Sequence, residues 1–256
     1  MGASLQRRDR LITLTGLATL AVPAWYYTAR GAWDMYHMAQ APNMWMPHGG
    51  AWTPTEFWLL FVMWAVMMAA MMLPSITPLT LTFASASRAC DQCSPHTATA
   101  WFVGGYLASW TLFSAVATAA QYALHQTAIL SPLMISRSPM FNAMLLCVAG
   151  VFQFTPWKRV CLGHCRTSGA MIRGCIEPGL TRAFRVGFRH GICCMGCCWA
   201  LMALLFVTGV MDLTWVIALS VLVLLERLMP GGNWLARASG AGLIAWGVYV
   251  ATRPSL

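Results

Sequence analysis

Ten cysteines in a chain of 256 residues fall into a pattern that soft-metal chemistry would use. One cluster reads Cys161-Leu-Gly-His164-Cys165-Arg166 and another Cys193-Cys194-Met-Gly-Cys197-Cys198. If the second cluster is helical, Cys194 and Cys198 lie four apart on one face, and Cys193 and Cys197 share the neighbouring face. Thiolates and imidazole suit Cu(I), Zn(II) or iron. A tetrahedral or trigonal site is completed if Cys161, His164 or Cys165 crosses over to meet Cys194, Cys197 and Cys198. The nearby Lys158, Arg159 and Arg166 favour the thiolate forms. A cysteine that stands alone is an ordinary small buried hydrophobe, and Cys147 and Cys175 read that way. Cys90-x-x-Cys93-x-x-His96 is a weak signal, equally a dithiol, a docking point or a solvated loop.

Two further stretches supply donors. Met63, Met67 and Met71 recur every four residues, shadowed by Met68 and Met72, so thioethers form a stripe along one helix. Thioethers prefer Cu(I), and methionine also fills irregular gaps in apolar packing. A second stretch, Asp34-Met-Tyr-His37-Met38 through Asn43-Met44-Trp-Met46-Pro-His48, places a carboxylate, two imidazoles and several thioethers in one loop. Asp34, His37 and His48 are candidates for a redox-active copper, although the spacing is irregular and an interfacial loop with polar tips reads the same way. Gln153, Asn142, Asp212 and Glu226 lie in or near apolar runs, where a polar group usually has a partner or a task. Gln153 is placed to reach the cysteine centre, Glu226-Arg227 reads as an ion pair at the interface, and His125 and His190 read as interfacial, His190 alternatively as a donor behind the second cysteine cluster.

These residues must be positioned by elements of an unusual composition. The chain is 59% hydrophobic and 9% charged, against roughly 25% charged in soluble domains, which excludes an ordinary soluble enzyme. Sixteen Lys and Arg against seven Asp and Glu give a net charge of +9. So few ionised groups make no nucleic-acid-binding surface. Apolar runs near the length that crosses a roughly 30 Å hydrocarbon core lie at about 11–29, 57–73, 99–120, 140–156, 190–209, 213–229 and 239–252. The sequence therefore predicts an all-α polytopic membrane bundle of about seven helices, one integral membrane domain over 1–256. Its outer loop covers about 30–56 and its cytoplasmic basic loop about 157–189. No internal repeat is evident.

Seven spans with the amino terminus in the cytoplasm put Arg7, Arg8, Arg10, Arg88, Lys158, Arg159, Arg166, Arg173, Arg182, Arg185, Arg189, Arg227 and Arg237 inside. Only Arg30, Arg137 and Arg253 fall outside, the asymmetry expected of cytoplasmic loops. The Arg7-Arg8 pair precedes an apolar run with no small-residue cleavage site, so the first helix is expected to be retained. Trp25, Tyr26, Tyr27, Trp33, Trp45, Trp52 and Trp58 suit an interfacial aromatic belt. Arg182, Arg185 and Arg189, interleaved with Phe184 and Phe188, suit a basic helix lying on an anionic leaflet. Cytoplasmic thiols stay reduced, which favours metal binding or redox chemistry over disulfides.

Three motifs, Met67-Met-Ala-Ala-Met-Met-Leu-Pro74, Gln153 through Arg166, and Gly191-Ile-Cys-Cys-Met-Gly-Cys-Cys-Trp-Ala-Leu-Met202, together resemble a bacterial family of predicted metal-binding integral membrane proteins. The resemblance covers most of the chain from the second span onwards. It implies a multi-pass protein of the bacterial inner membrane with a metal site, often alongside a small soluble partner. Cys194 and Cys198 match the motif, and Cys193 and Cys197 are additional.

Three functions compete. The first is handling of copper or another soft metal, by capture, transfer or delivery, through Cys161, His164, Cys165, Cys194, Cys197 and Cys198 with Met67 and Met71. Its cofactor is a copper ion, with zinc or iron as alternatives, and its partners are membrane lipid and a soluble subunit or metal chaperone. No GxxxxGK[ST] phosphate loop is present, so any transport is passive, ion-coupled or chaperone-directed. The second is a copper-dependent membrane oxidoreductase or monooxygenase built on Asp34, His37 and His48. The third is a thiol redox or sensor protein using Cys194 and Cys198.

Overall fold

The computed structural model describes residues 2–37, 52–89, 95–127, 136, 138–172, 179–229 and 231–252. Every regular element among them is helical: α1 (Gly2–Tyr36), α2 (Pro54–Ala89), α3 (Pro95–Gln126), α4 (Pro139–Phe154), α5 (Pro156–Ile172), α6 (Leu180–Ala203), the single turn α7 (Leu205–Thr208), α8 (Leu213–Leu228) and α9 (Gly232–Thr252). Local chemistry sets several of these boundaries. Thr53 and Glu56 form a reciprocal capping box ahead of α2, with Pro54 at its first position. Ser138 caps α4 through the amide of Phe141, and Asp212 caps α8 through the amides of Thr214 and Trp215. Gly209, at φ 106°, ends α7 in a backbone conformation that side chains with a Cβ rarely adopt.

Each expected span coincides with a helix, but the lengths differ from expectation. The second helix does not stop at Pro74. It runs on to Ala89 through Pro74 and Pro78, with the hydroxyls of Ser75, Thr77 and Thr80 donating back to backbone carbonyls. The fourth span breaks at Thr155, because the residue before a proline avoids the helical region. Thr155 is extended, Pro156 opens α5, and the chain bends by 62° between the two helices. The expected cytoplasmic loop is thus largely helical. It holds α5 and the first turns of α6, and the basic residues do not form a separate surface helix. Arg182, Arg185 and Arg189 line the exposed side of α6, opposite buried Ala183, Gly187 and His190.

Among the described residues three helices are long and apolar enough to cross a membrane: Pro54–Ser87, His96–Gln126 and Leu180–Thr208. The bent pair α4–α5 makes a fourth if it is taken as one broken span. Polarity along the shorter helices runs inside out. In α8, Ile217, Val221, Leu225 and Leu228 are exposed while Ser220, Glu226 and Arg227 are buried. In α4, Met140, Met144, Val148 and Val151 face outward and Gln153 inward.

Close packing is set by glycine. α3 packs on α6, α4 on α9, α2 on α3, and α5 on α6. At the α3–α6 crossing a Cβ on Gly105 would overlap the Phe184 carbonyl, and one on Gly187 the Phe102 carbonyl. Helix backbones touch there. This crossing and the Trp64 Nε1–Gln121 Oε1 hydrogen bond (2.6 Å, buried) between α2 and α3 fix the frame that holds the sulfur residues.

Candidate metal centre

The second cysteine cluster lies in the fourth and fifth turns of α6, with Cys194 and Cys198 on the face that glycine presses against α3. Cys194 (fully buried), Cys197 and Cys198 all point into the apolar core. The thiols of Cys197 and Cys198 both donate to the Cys194 carbonyl at 3.0 Å. The first cluster is carried by α5, whose bend at Pro156 turns it back onto α6. The Cys161 sulfur lies 3.5 Å from where a Gly196 Cβ would stand, within electrostatic reach of Cys193 and Cys197. Cys165, one turn further, is buried in the same cluster. The two sulfur segments therefore meet. Cys161 and Cys193 are half-buried and His164 is exposed, whereas Cys165, Cys194, Cys197 and Cys198 are interior. The sulfur atoms thus grade from the surface of α5 into the core.

At the inner end of that gradient stands a residue that sequence reasoning placed elsewhere. Arg227 does not pair with Glu226 at an interface; it is buried and reaches the thiols. Its Nη1 donates to Ser75 Oγ at 2.7 Å and to Cys194 Sγ at 3.2 Å, and its Nη2 to His190 Nε2 at 2.9 Å. A guanidinium cannot accept, so His190 Nε2 is the acceptor and the neutral ring carries its proton on Nδ1, which is buried without a partner among the described residues. Tyr106 Oη lies 3.2 Å from Cys194 Sγ and 3.4 Å from the Met72 carbonyl. Cys165 and Cys197 also lie within the electrostatic field of the guanidinium. Tyr106, Ser75 and Arg227 were missed by the motif reading. One rule could have found Arg227: adjacent helical residues do not face each other, so Glu226 and Arg227 must look for different partners.

Glu226 finds its own. Its Oε2 accepts from Lys158 Nζ at 2.7 Å, with side-chain exposures of 1% and 3%. Its Oε1 accepts from Gln153 Nε2 at 3.2 Å. Gln153 also donates to Ser239 at 3.1 Å, so it serves this carboxylate and not the cysteine centre. Lys158 is spent on Glu226, and Arg166 Nε donates to the Arg227 carbonyl at 3.2 Å. Among the described residues, the cation within hydrogen-bond distance of a buried thiol is Arg227.

The methionine stripe is interior. Met63, Met67, Met68, Met71 and Met72 are all buried in the cluster that holds Cys194 and Cys198. At the other end of the molecule, Asp34 pairs with Arg30 at 3.9 Å on its own helix, and the His37 ring lies against Trp33 with Nδ1 3.0 Å from the Trp33 carbonyl. His48, Cys90, Cys93 and Cys175 lie outside the described residues. His96 faces Asp9 at 3.7 Å, and Cys147 lies against α9 near Gly247.

Sulfur is the right donor chemistry for monovalent copper. Among the described residues no group of three or more His, Cys, Asp or Glu is placed to hold one ion. Cu(I), unlike Zn(II), is content with two sulfur ligands. No curated protein and no solved structure matches the chain significantly. A family model described as a copper chaperone, PpoB2, matches residues 61–250, which takes in the methionine stripe, both cysteine clusters and Arg227, and the chain belongs to that copper chaperone family.

Proposed function

We propose that this copper chaperone is an integral protein of the bacterial inner membrane, crossing it seven times with its amino terminus in the cytoplasm, and that its thiols carry Cu(I). The observation that carries the reading is the meeting of α5 and α6, which brings Cys161 beside the Gly196 turn while a buried guanidinium lies 3.2 Å from the Cys194 sulfur. The inside-out polarity of α4 and α8 and the three or four helices of sufficient length support the membrane location.

In this reading Cys161, Cys193 and His164 form the accessible port, and Cys194 with Cys165 or Cys197 forms the inner seat. Thioether and thiolate exchange an ion of the same softness readily, so the Met67–Met71 stripe extends the route through α2. A soluble donor or acceptor would approach the α5 side, where Trp157 and Val160 are exposed beside Cys161. For the copper-oxidoreductase alternative, Asp34 faces Arg30 and His37 faces the Trp33 carbonyl along α1, while His48 lies outside the described residues.

The experiment is metal analysis of the full chain purified in mild detergent and supplied with Cu(I). About one tightly held ion per chain is expected, lost in Cys194→Ser and weakened in Cys161→Ser. Retention of full copper by Cys194→Ser and by the double variant Cys165→Ser/Cys197→Ser would overturn the site. Oxygen consumption abolished by His37→Ala or His48→Ala would transfer the function to the enzyme reading.

A further inference from the structure

A guanidinium buried to 7% exposure requires an explanation, because Arg stays protonated under all ordinary conditions and a lone buried charge is costly. Among the described residues no carboxylate pairs with it. Glu226, its chain neighbour, is turned away to Lys158. Its side-chain partners are a hydroxyl (Ser75), a neutral imidazole (His190) and a thiol (Cys194). None of the three is a fixed anion, so the guanidinium has no permanent counter-charge within hydrogen-bond reach among the described residues.

We infer that Arg227 is the specificity determinant of the copper site, a fixed counter-charge that makes the pocket select a monovalent soft ion over a divalent one. The inference rests on the two-thiol seat proposed above and assigns a residue outside it. When Cu(I) is seated by two thiols, two S–H bonds break, two S–Cu bonds form and two protons leave to water, with no change of oxidation state. The product is a bis-thiolate copper anion of charge −1, so the pocket passes from +1 to neutral. A divalent ion on the same two thiols gives a neutral complex and leaves the guanidinium uncompensated. Balancing a divalent ion against Arg227 needs a third thiolate, and no three-ligand group is in place among the described residues. The low-dielectric surroundings magnify the difference, since Coulomb energies scale inversely with the effective dielectric. Ser75 and His190 hold the guanidinium in position and contribute no charge of their own. Arg227 is thus a positioning and charge-balancing residue, not an ion ligand.

The test uses the full chain in detergent, with Ag(I) as the air-stable monovalent probe and Zn(II) as the divalent one, each titrated against a competing chelator. Wild type is expected to favour Ag(I). In Arg227→Met the Ag(I) affinity falls about tenfold or more while Zn(II) binding holds or rises, so the ratio of the two collapses. Arg227→Lys, which keeps the charge, retains most of the preference and decides the matter if the Met variant does not fold. An equal fall for both ions in Arg227→Met, or loss of the preference in a folded Arg227→Lys, overturns the inference and leaves the thiol seat standing. Failure of wild type to bind Ag(I) at all overturns the seat itself.

Discussion

Single side chains in this molecule carry opposite duties within a few ångströms. Lys158 and Glu226 are the clearest pair, buried and 2.7 Å apart. Removing one partner strands the other charge, so Glu226→Gln is expected to cost about 3 kcal/mol or more, whereas Lys158→Met combined with Glu226→Leu recovers most of it. Reversible unfolding in mixed micelles checks this, and a double variant no more stable than the single one would contradict it. Trp64→Phe leaves Gln121 Oε1 buried without its 2.6 Å donor, at an expected cost of about 1–3 kcal/mol by the same assay. Seating a monovalent ion on two thiols also releases about two protons per ion, readable as acidification when Ag(I) is added in weak buffer. Release of none would mean that the thiols are not the ligands.

The helices show what the sequence could and could not convey. Apolar runs located every helix but α5, because burial and lipid contact both demand them. The α5 segment escaped that signal. Lys158, Arg159, His164 and Arg166 look like a loop until the bend at Pro156 turns Cys161, Leu162 and Cys165 inward. The meeting of the two cysteine clusters was legible from their residue types, whereas the inward turn of Lys158 and Arg227 was hidden, since each charge looked like part of a cytoplasmic rim. Neighbouring glycines give a sharp test of the α3–α6 crossing. Gly105→Ala meets the Phe184 backbone, while Gly104→Ala meets nothing within 4 Å. The first should destabilise by about 1–3 kcal/mol and the second should be neutral or add about 0.5–1 kcal/mol of helix stability. Equal effects would mean that these backbones do not touch.

For the molecule as a whole, the charge asymmetry remains after Lys158 and Arg227 are recognised as interior, because the cytoplasmic excess of the proposed seven-span topology rests on the many arginines left. That topology puts the carboxyl terminus on the outer side. Alkaline phosphatase fused after Leu256 is expected to be active, and a fluorescent protein fused there dark. The reverse result would remove one span or add one.

Glu226 and Arg227 are consecutive on α8, and their side chains leave the helix in different directions, one to α5 and α9, the other to α2 and α6. The same short helix therefore joins two polar clusters through a single peptide link, the Lys158–Glu226 ion pair on one side and the Arg227–Cys194 contact on the other, so neither cluster can be repacked without loading the backbone that carries the other.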